Sequence, residues 1–405
     1  MNGAESMVGT LVASGIEVCF ANPGTSEMHF VAALDRISGM RAILCLFEGV
    51  VTGAADGYGR MAEKPACALL HLGPGLANGL ANLHNARRAA TPIVNVVGDH
   101  ATGLKSAGRV SAKTGARIFC DTLAPRVQRG AGRVVVERIP YLAEDIAEFL
   151  QGVEQLILVG AKPPVTFFAY PGKTSWPTPE GCKIMILSHA HKDGTAALES
   201  LADALNAPPA PVNVAVLTTP AFPKSGKLNA RAVIQVVAHF LPEGAILADE
   251  AVTSGLPYFN YTATCAPHDY LNLAGGAIGG MMPVGTGAAV ACPDRKVVCL
   301  EGDGSAMYTL QALWTQARER LDVTTVIYAN RSYAILNIEL ARVGVDNPGL
   351  RARSLFDLHD PTLDWVKLAE GMGVEAARAE TTERFADLFS SAMKTRGPRL
   401  IEAVI

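Results

Sequence analysis

Short apolar runs of four to six residues, each followed by a stretch with helical spacing, recur along most of this 405-residue chain. No other feature limits its fold as much. A strand with one face in water alternates apolar and polar residues; these runs do not alternate, so both of their faces must be covered. Strands separated by helices pair in parallel, with the crossover helices packed on the two faces of the sheet. The expected class is therefore α/β, built on parallel sheets.

Three segments of this kind are legible. The first, 1–100, is expected to hold strands at 17–20, 42–46, 67–71 and 93–97 and helices at 3–15, 26–37, 48–62 and 76–90. The second, 104–206, carries strands at 116–120, 156–160 and 183–188 and a helix at 195–205. A linker over 207–228 follows, marked by Pro208, Pro209, Pro211, Pro220 and Pro223. The third, 229–405, is expected to hold helices at 230–241, 306–318, 361–371 and 382–394. Its strands are expected at 245–248, 296–300, 324–329 and 400–404.

Hydrophobic residues make up 49% of the chain and charged residues 18%, enough apolar material for several cores. The net charge of −3 gives no electrostatic footprint for nucleic acid or an anionic membrane. The charge-free stretch 270–293 has the length of a membrane span. It also holds Gly275, Gly276, Gly279, Gly280, Gly285, Gly287 and Pro283, which weaken a spanning helix, so it reads as a tight loop leading into a buried helix. The start, Met1-Asn2-Gly3-Ala4-Glu5, lacks the basic residues and apolar run of a secretory signal. Eight cysteines without a Cys-x-x-Cys pair read as small buried hydrophobes, and the expected location is the reducing cytoplasm.

The most informative motif is Glu301-Gly302-Asp303-Gly304-Ser305, between an apolar strand and a helix. A glycine-rich turn of this kind lets main-chain N–H groups approach a phosphate. Asn330 ends the next strand, 27 residues after Asp303. Adjacent parallel strands end at one edge, so Asp303 and Asn330 can offer oxygens to one hard cation beside a diphosphate, the ligand set Mg²⁺ prefers. Glu48 lies between a strand and a helix, where a carboxylate complements the helix dipole; burial there would raise its pKa and suit it to proton sharing.

The order Gly302-Asp303-Gly304-Ser305 … Asn330-Arg331-Ser332, with Glu48 upstream, resembles thiamine-diphosphate (ThDP) enzymes of the acetolactate synthase and benzoylformate decarboxylase type. Many members have a second asparagine where this chain has Arg331. The resemblance implies that Asp303, the Asn330 side chain and the Ser332 carbonyl bind Mg²⁺, with Gly302, Gly304 and Ser305 at the cofactor's diphosphate. It implies that Glu48 hydrogen-bonds N1′ of the aminopyrimidine and that Ile278, in Gly275-Gly276-Ala277-Ile278-Gly279-Gly280, bends the cofactor, with Gly276 beside it. Thr25, in Asn22-Pro23-Gly24-Thr25-Ser26, matches a substrate-contacting hydroxyl, although Thr25 or Ser26 also fits a helix N-cap. His71 matches the active-site histidine of benzoylformate decarboxylase and fits a structural histidine equally well. His189-Ala190-His191 reads as structural.

The implied activity is decarboxylation of a 2-oxo acid, or its coupling to a second carbonyl compound. The implied fold is a pyrimidine-binding domain (1–100), a shortened Rossmann-like middle domain (104–206) and a diphosphate-binding domain (229–405). Self-association as a homodimer or homotetramer is implied too, with Glu48 and Asp303 meeting across the dimer interface. FAD, which some synthases bind, depends on middle-domain residues that are partly missing. The family's first domain continues well past Val94–His100, whereas here a helix resembling one inside the middle domain starts at Leu104; an internal deletion is expected near 100–104.

Two rivals follow. One is a non-catalytic or impaired relative, which the deletion motivates and Glu48 argues against. The other is a dinucleotide oxidoreductase. Its closest fingerprint, Gly73-Pro74-Gly75-Leu76-Ala77-Asn78, has asparagine in place of the last glycine.

Overall fold

The computed structural model describes residues 3–22, 33–70, 72–93, 103–166, 173–189, 193–218, 220–345 and 347–405. Within the N-terminal segment, strands β1 (Val18–Asn22), β2 (Arg41–Leu44) and β3 (Cys67–Leu70) pair in parallel in the order β2-β1-β3. Helices α1 (Gly3–Ala13), α2 (Glu48–Ala62) and α3 (Leu72–Arg88) connect or cover them. The expected strand 93–97 and the first half of the expected helix 26–37 fall largely outside the described residues.

The segment after 103 begins with α4 (Gly103–Thr114) and includes α5 (Ala143–Phe149) and α6 (Gly194–Ala204). Its strands are divided. β4 (Phe119–Cys120) pairs with β6 (Glu137–Arg138), and β7 (Gln155–Val159) with β8 (Lys183–Ser188), both in parallel. β5 (Arg126–Arg129) instead joins the C-terminal sheet as an antiparallel edge. Ile157, Ile184, Met185 and Ile186 are exposed on the two-stranded β7–β8 sheet.

The C-terminal segment carries a seven-stranded sheet in the order β13-β14-β12-β11-β9-β10-β5. Its own strands are β9 (Ala245–Glu250), β10 (His268–Asn272), β11 (Val297–Gly302), β12 (Val323–Ala329), β13 (Glu375–Ala379) and β14 (Arg399–Val404), parallel throughout. Every residue of β9 and β12 is buried, as the non-alternating runs predict for strands covered on both faces. Helices α7 (Ala230–Phe240), α8 (Tyr258–Tyr261) and α15 (Thr382–Lys394) line one face. The other face receives α2 of the N-terminal segment, α9 (Met281–Ala291), α11 (Ala312–Glu319) and α14 (Trp365–Gly371). The short α10 (Asp303–Ala306) follows β11, and α12 (Ala334–Arg342) and α13 (Leu350–Ser354) lie between β12 and α14.

Three expectations are corrected. Residues 268–272 form β10, so the stretch from 270 opens as a strand and not as a loop. Its buried Asp269 is matched by Arg126 and Arg295, partners distant in sequence. The expected helix 306–318 begins only at Ala312 as α11, since α10 ends at Ala306; in the turn between them Thr309 donates its hydroxyl to the Gly279 carbonyl (2.9 Å). The expected helix 361–371 starts only at Trp365, with Asp364 as its cap accepting from Lys367 N–H.

All eight cysteines carry free thiols. Among the described residues, no helix is long and apolar enough to cross a membrane.

Candidate active site

The parallel strands β9, β11 and β12 are neighbours, so Glu250, Gly302 and Ala329 end at one edge of the sheet. Asp303 opens α10 there and is only 3% exposed. Its Oδ1 accepts from the Gly304 N–H (2.9 Å) and its Oδ2 from the Arg331 N–H (2.6 Å), which binds the turn after β11 to the turn after β12. Asn330 Oδ1 accepts from the Ser332 N–H (3.0 Å). Asp303 and the Asn330–Ser332 turn therefore adjoin. Burial pushes the Asp303 carboxyl upward, against the main-chain N–H groups that favour its charged form.

Among the described residues Asp303 has no salt-bridge partner. The Arg331 charge and the main-chain N–H groups offset part of the cost of burying this carboxylate, and a hard divalent cation held by Asp303, Asn330 and a main-chain carbonyl would offset more. The residues present therefore fit Mg²⁺. Gly304 leaves room for its neighbour: a Cβ there would run into the Tyr333 ring as it now lies. Arg331, where many family members have asparagine, adopts a left-handed backbone with φ 56°.

Glu48 is the first residue of α2 and 7% exposed. Its N-cap, Phe47, offers no side-chain cap, so the acid itself complements the helix N-terminus. Asn78 of α3 donates to Glu48 Oε2 (3.1 Å). One turn along, Asn82 donates to the carbonyl of Gly49 (2.8 Å) and faces that of Gly279 at 3.4 Å. Glu48 and the loop that carries Ile278 are therefore neighbours within a single chain. Ile278 is partly buried against the core shared by α2 and α9. Gly276 and Gly279 on either side of it have φ of 73° and 83°, a region that favours glycine.

The docking of α2 on α9 makes this possible. A Cβ at Gly57 would overlap the Val284 carbonyl, and a Cβ at Gly287 would overlap that of Ala54, so the two helices touch backbone to backbone.

Sequence reasoning missed Asn78, Asn82 and Asn85, although their i, i+4, i+7 spacing puts them on one helix face. It also missed Glu250, 2% exposed, whose Oε1 accepts from the Gly279 N–H. Glu250 Oε2 accepts from Gly280 (2.8 Å) and Met281 (2.7 Å). An acid closing an apolar strand was the usable signal. Burial raises the Glu250 carboxyl, while its three N–H donors act in the opposite sense. Glu301, its cross-strand neighbour, is fully buried; burial raises its carboxyl strongly, and neither oxygen has a partner among the described residues. Thr25, His71 and His191 lie outside the described residues.

Comparison with known proteins accords with this geometry. The family model for the thiamine pyrophosphate enzyme N-terminal TPP binding domain matches residues 1–117, and that for the C-terminal TPP binding domain matches residues 255–403. A Mycobacterium tuberculosis protein named "Putative acetolactate synthase large subunit IlvX" is 44% identical over 514 aligned positions, spanning 100% of this chain and 99% of the relative. Because this chain has 405 residues, at least 109 of those 514 positions are gaps in it. Benzoylformate decarboxylase of Pseudomonas aeruginosa is 24% identical over 96% of each chain. In fold, the chain resembles the thiamine diphosphate-dependent 4-hydroxybenzoylformate decarboxylase of Rhodococcus jostii RHA1, with TM-score 0.80, 20% identity, and coverage of 99% of this chain and 98% of that one. This chain belongs to the thiamine-diphosphate-dependent enzymes of the acetolactate synthase and benzoylformate decarboxylase type.

Proposed function

We propose that this protein catalyses the Mg²⁺-dependent decarboxylation of a 2-oxo acid, with or without coupling of the remainder to a second carbonyl compound. The observation that carries the reading is the buried Glu48 carboxylate, set by Asn78 at the start of α2 and adjoining the Ile278 loop. Binding alone would not require a carboxylate there. Bound thiamine diphosphate supplies the electron sink that lets CO₂ leave.

The chain's own residues do the rest. Asp303, Asn330 and the Ser332 carbonyl hold the metal; Gly302, Gly304 and Ser305 take the diphosphate. Glu48 holds a proton at N1′ of the pyrimidine, while Gly276 and Ile278 shape the cofactor's seat. Thr25 and His71 are the candidates for contact and proton exchange with the substrate. The working form is a homodimer or homotetramer in the cytoplasm.

A second reading, an impaired relative, is favoured by the gap of at least 109 positions and the exposed β7–β8 sheet. Thermal unfolding with ThDP, with and without Mg²⁺, followed by CO₂ release from a panel of 2-oxo acids, separates the two. A hundredfold excess over Kd should add about 2.7 kcal/mol, and Asp303→Ala should remove the metal-dependent part. Binding without CO₂ release would favour the impaired relative; no binding by folded protein would overturn the cofactor reading itself.

A further inference from the structure

We propose that Glu250 is a positioning residue of the cofactor site: by gripping three consecutive main-chain N–H groups, Gly279 to Met281, it fixes the loop that presents Ile278. The inference rests on the reading that Ile278 supports the bound cofactor.

The loop 275–280 has no regular structure to hold it, and the positive φ of Gly276 and Gly279 rules out continuation of either neighbouring element. Its polar groups must find partners elsewhere. Glu250, at the end of β9, supplies acceptors for Gly279, Gly280 and Met281. From the opposite side, α3 contributes Asn85, whose Oδ1 accepts from Ala277 N–H (3.2 Å) and whose Nδ2 donates to the Ala277 carbonyl (2.9 Å). Thr309 donates to the Gly279 carbonyl (2.9 Å). Both residues flanking Ile278 are thus held by side chains from β9, α3 and the turn between α10 and α11. There is no slack around them: a Cβ at Gly279 would strike Tyr308, and one at Gly275 would strike Asn85.

A carboxylate is an expensive group to place at 2% exposure, and an apolar side chain would fill the same space. What an apolar side chain could not do is order three N–H groups at once. Two of these, Gly280 and Met281, also open α9, so Glu250 caps that helix. Capping alone predicts a loss of stability. Positioning predicts, in addition, that the effect on the cofactor passes through Ile278.

The test is a double-mutant cycle on the full-length protein. Glu250→Gln and Ile278→Ala are made singly and together, and the Kd for ThDP in saturating Mg²⁺ is measured by calorimetry. Hydrogen exchange of the peptide covering 275–284 is followed without cofactor. Expected are faster exchange in Glu250→Gln, Kd raised about tenfold by either single change, and less than about twofold further loss when they are combined. Wild-type affinity in Glu250→Gln, or two effects that simply multiply, would overturn the proposal. If Glu250→Gln does not fold, Asn85→Ala enters the same cycle, since it frees Ala277 from the other side. Absence of ThDP binding by the wild type would defeat the functional reading instead, and the exchange measurement would still decide whether Glu250 holds the loop.

Discussion

Gly57 of α2 lies so close to Val284 of α9 that a single added methyl group would overlap the Val284 carbonyl oxygen. The Gly287–Ala54 contact repeats the arrangement with the helices' roles exchanged. Main-chain carbonyls cannot swing aside as a flexible side chain does. Gly57→Ala is therefore expected to lower stability by about 3 kcal/mol or more, beyond the usual overpacking cost, and to weaken ThDP binding as Glu48 moves away from the Ile278 loop. Denaturant unfolding checks the first effect, and a loss below about 1 kcal/mol would contradict the packing described.

Asp56 and Arg60, one turn apart on α2, form an ion pair with side chains 0% and 3% exposed. Arg60 also donates to the Asn272 carbonyl (2.9 Å), tying the N-terminal segment to β10. Asp56→Asn leaves a buried cation without its counter-charge and should cost about 3–5 kcal/mol. Replacing both residues by apolar ones of similar volume should cost less than the single change. A double variant less stable than Asp56→Asn would show that the pair itself contributes net stability.

His268 on β10 is buried and donates through Nδ1 to the Ala266 carbonyl (2.8 Å), while Nε2 has no partner among the described residues. Burial depresses its pKa to about 4, against 6.5 for the ordinary group. The unfolded chain therefore takes up a proton that the folded one refuses. The stabilisation is complete above pH 6.5 and is lost as pH falls toward 4, at up to about 1.4 kcal/mol per pH unit. His268→Gln should flatten that part of the stability–pH curve; an unchanged slope would place the pH dependence elsewhere.

Glu48→Gln keeps the size of the side chain and removes its capacity to hold the proton. CO₂ release should fall about 10²–10⁴-fold, with ThDP affinity changed far less. Equal losses in both would mean that Glu48 serves binding alone.

What the sequence made legible follows from how local each signal is. Helices α2 and α15 and strand β8 begin and end where expected, because their apolar spacing and flanking residues lie within the elements themselves. Asp303 and Asn330 were legible because a parallel sheet brings strand ends together whatever lies between them. β10 was not, since a buried Asp269 makes sense only with Arg126 and Arg295 in place. Glu250 was hidden for a related reason: its partners are main-chain N–H groups 29 to 31 residues further on, and no residue type announces them. The joining of Glu48 to the Ile278 loop within one chain depends on the crossing of α2 and α9, which glycines permit but do not by themselves specify.

The bare β7–β8 pair has a consequence unrelated to catalysis. Parallel strands are ordinarily covered on both faces, yet Ile157, Ile184, Met185 and Ile186 meet water here. Such a surface is adhesive, and strand edges beside it offer a template for another chain. Sulfate or phosphate salts, which strengthen burial of apolar surface, will bring copies of the protein together through this face first. In concentrated solution, self-association through this face is expected to rise with the concentration of such salts.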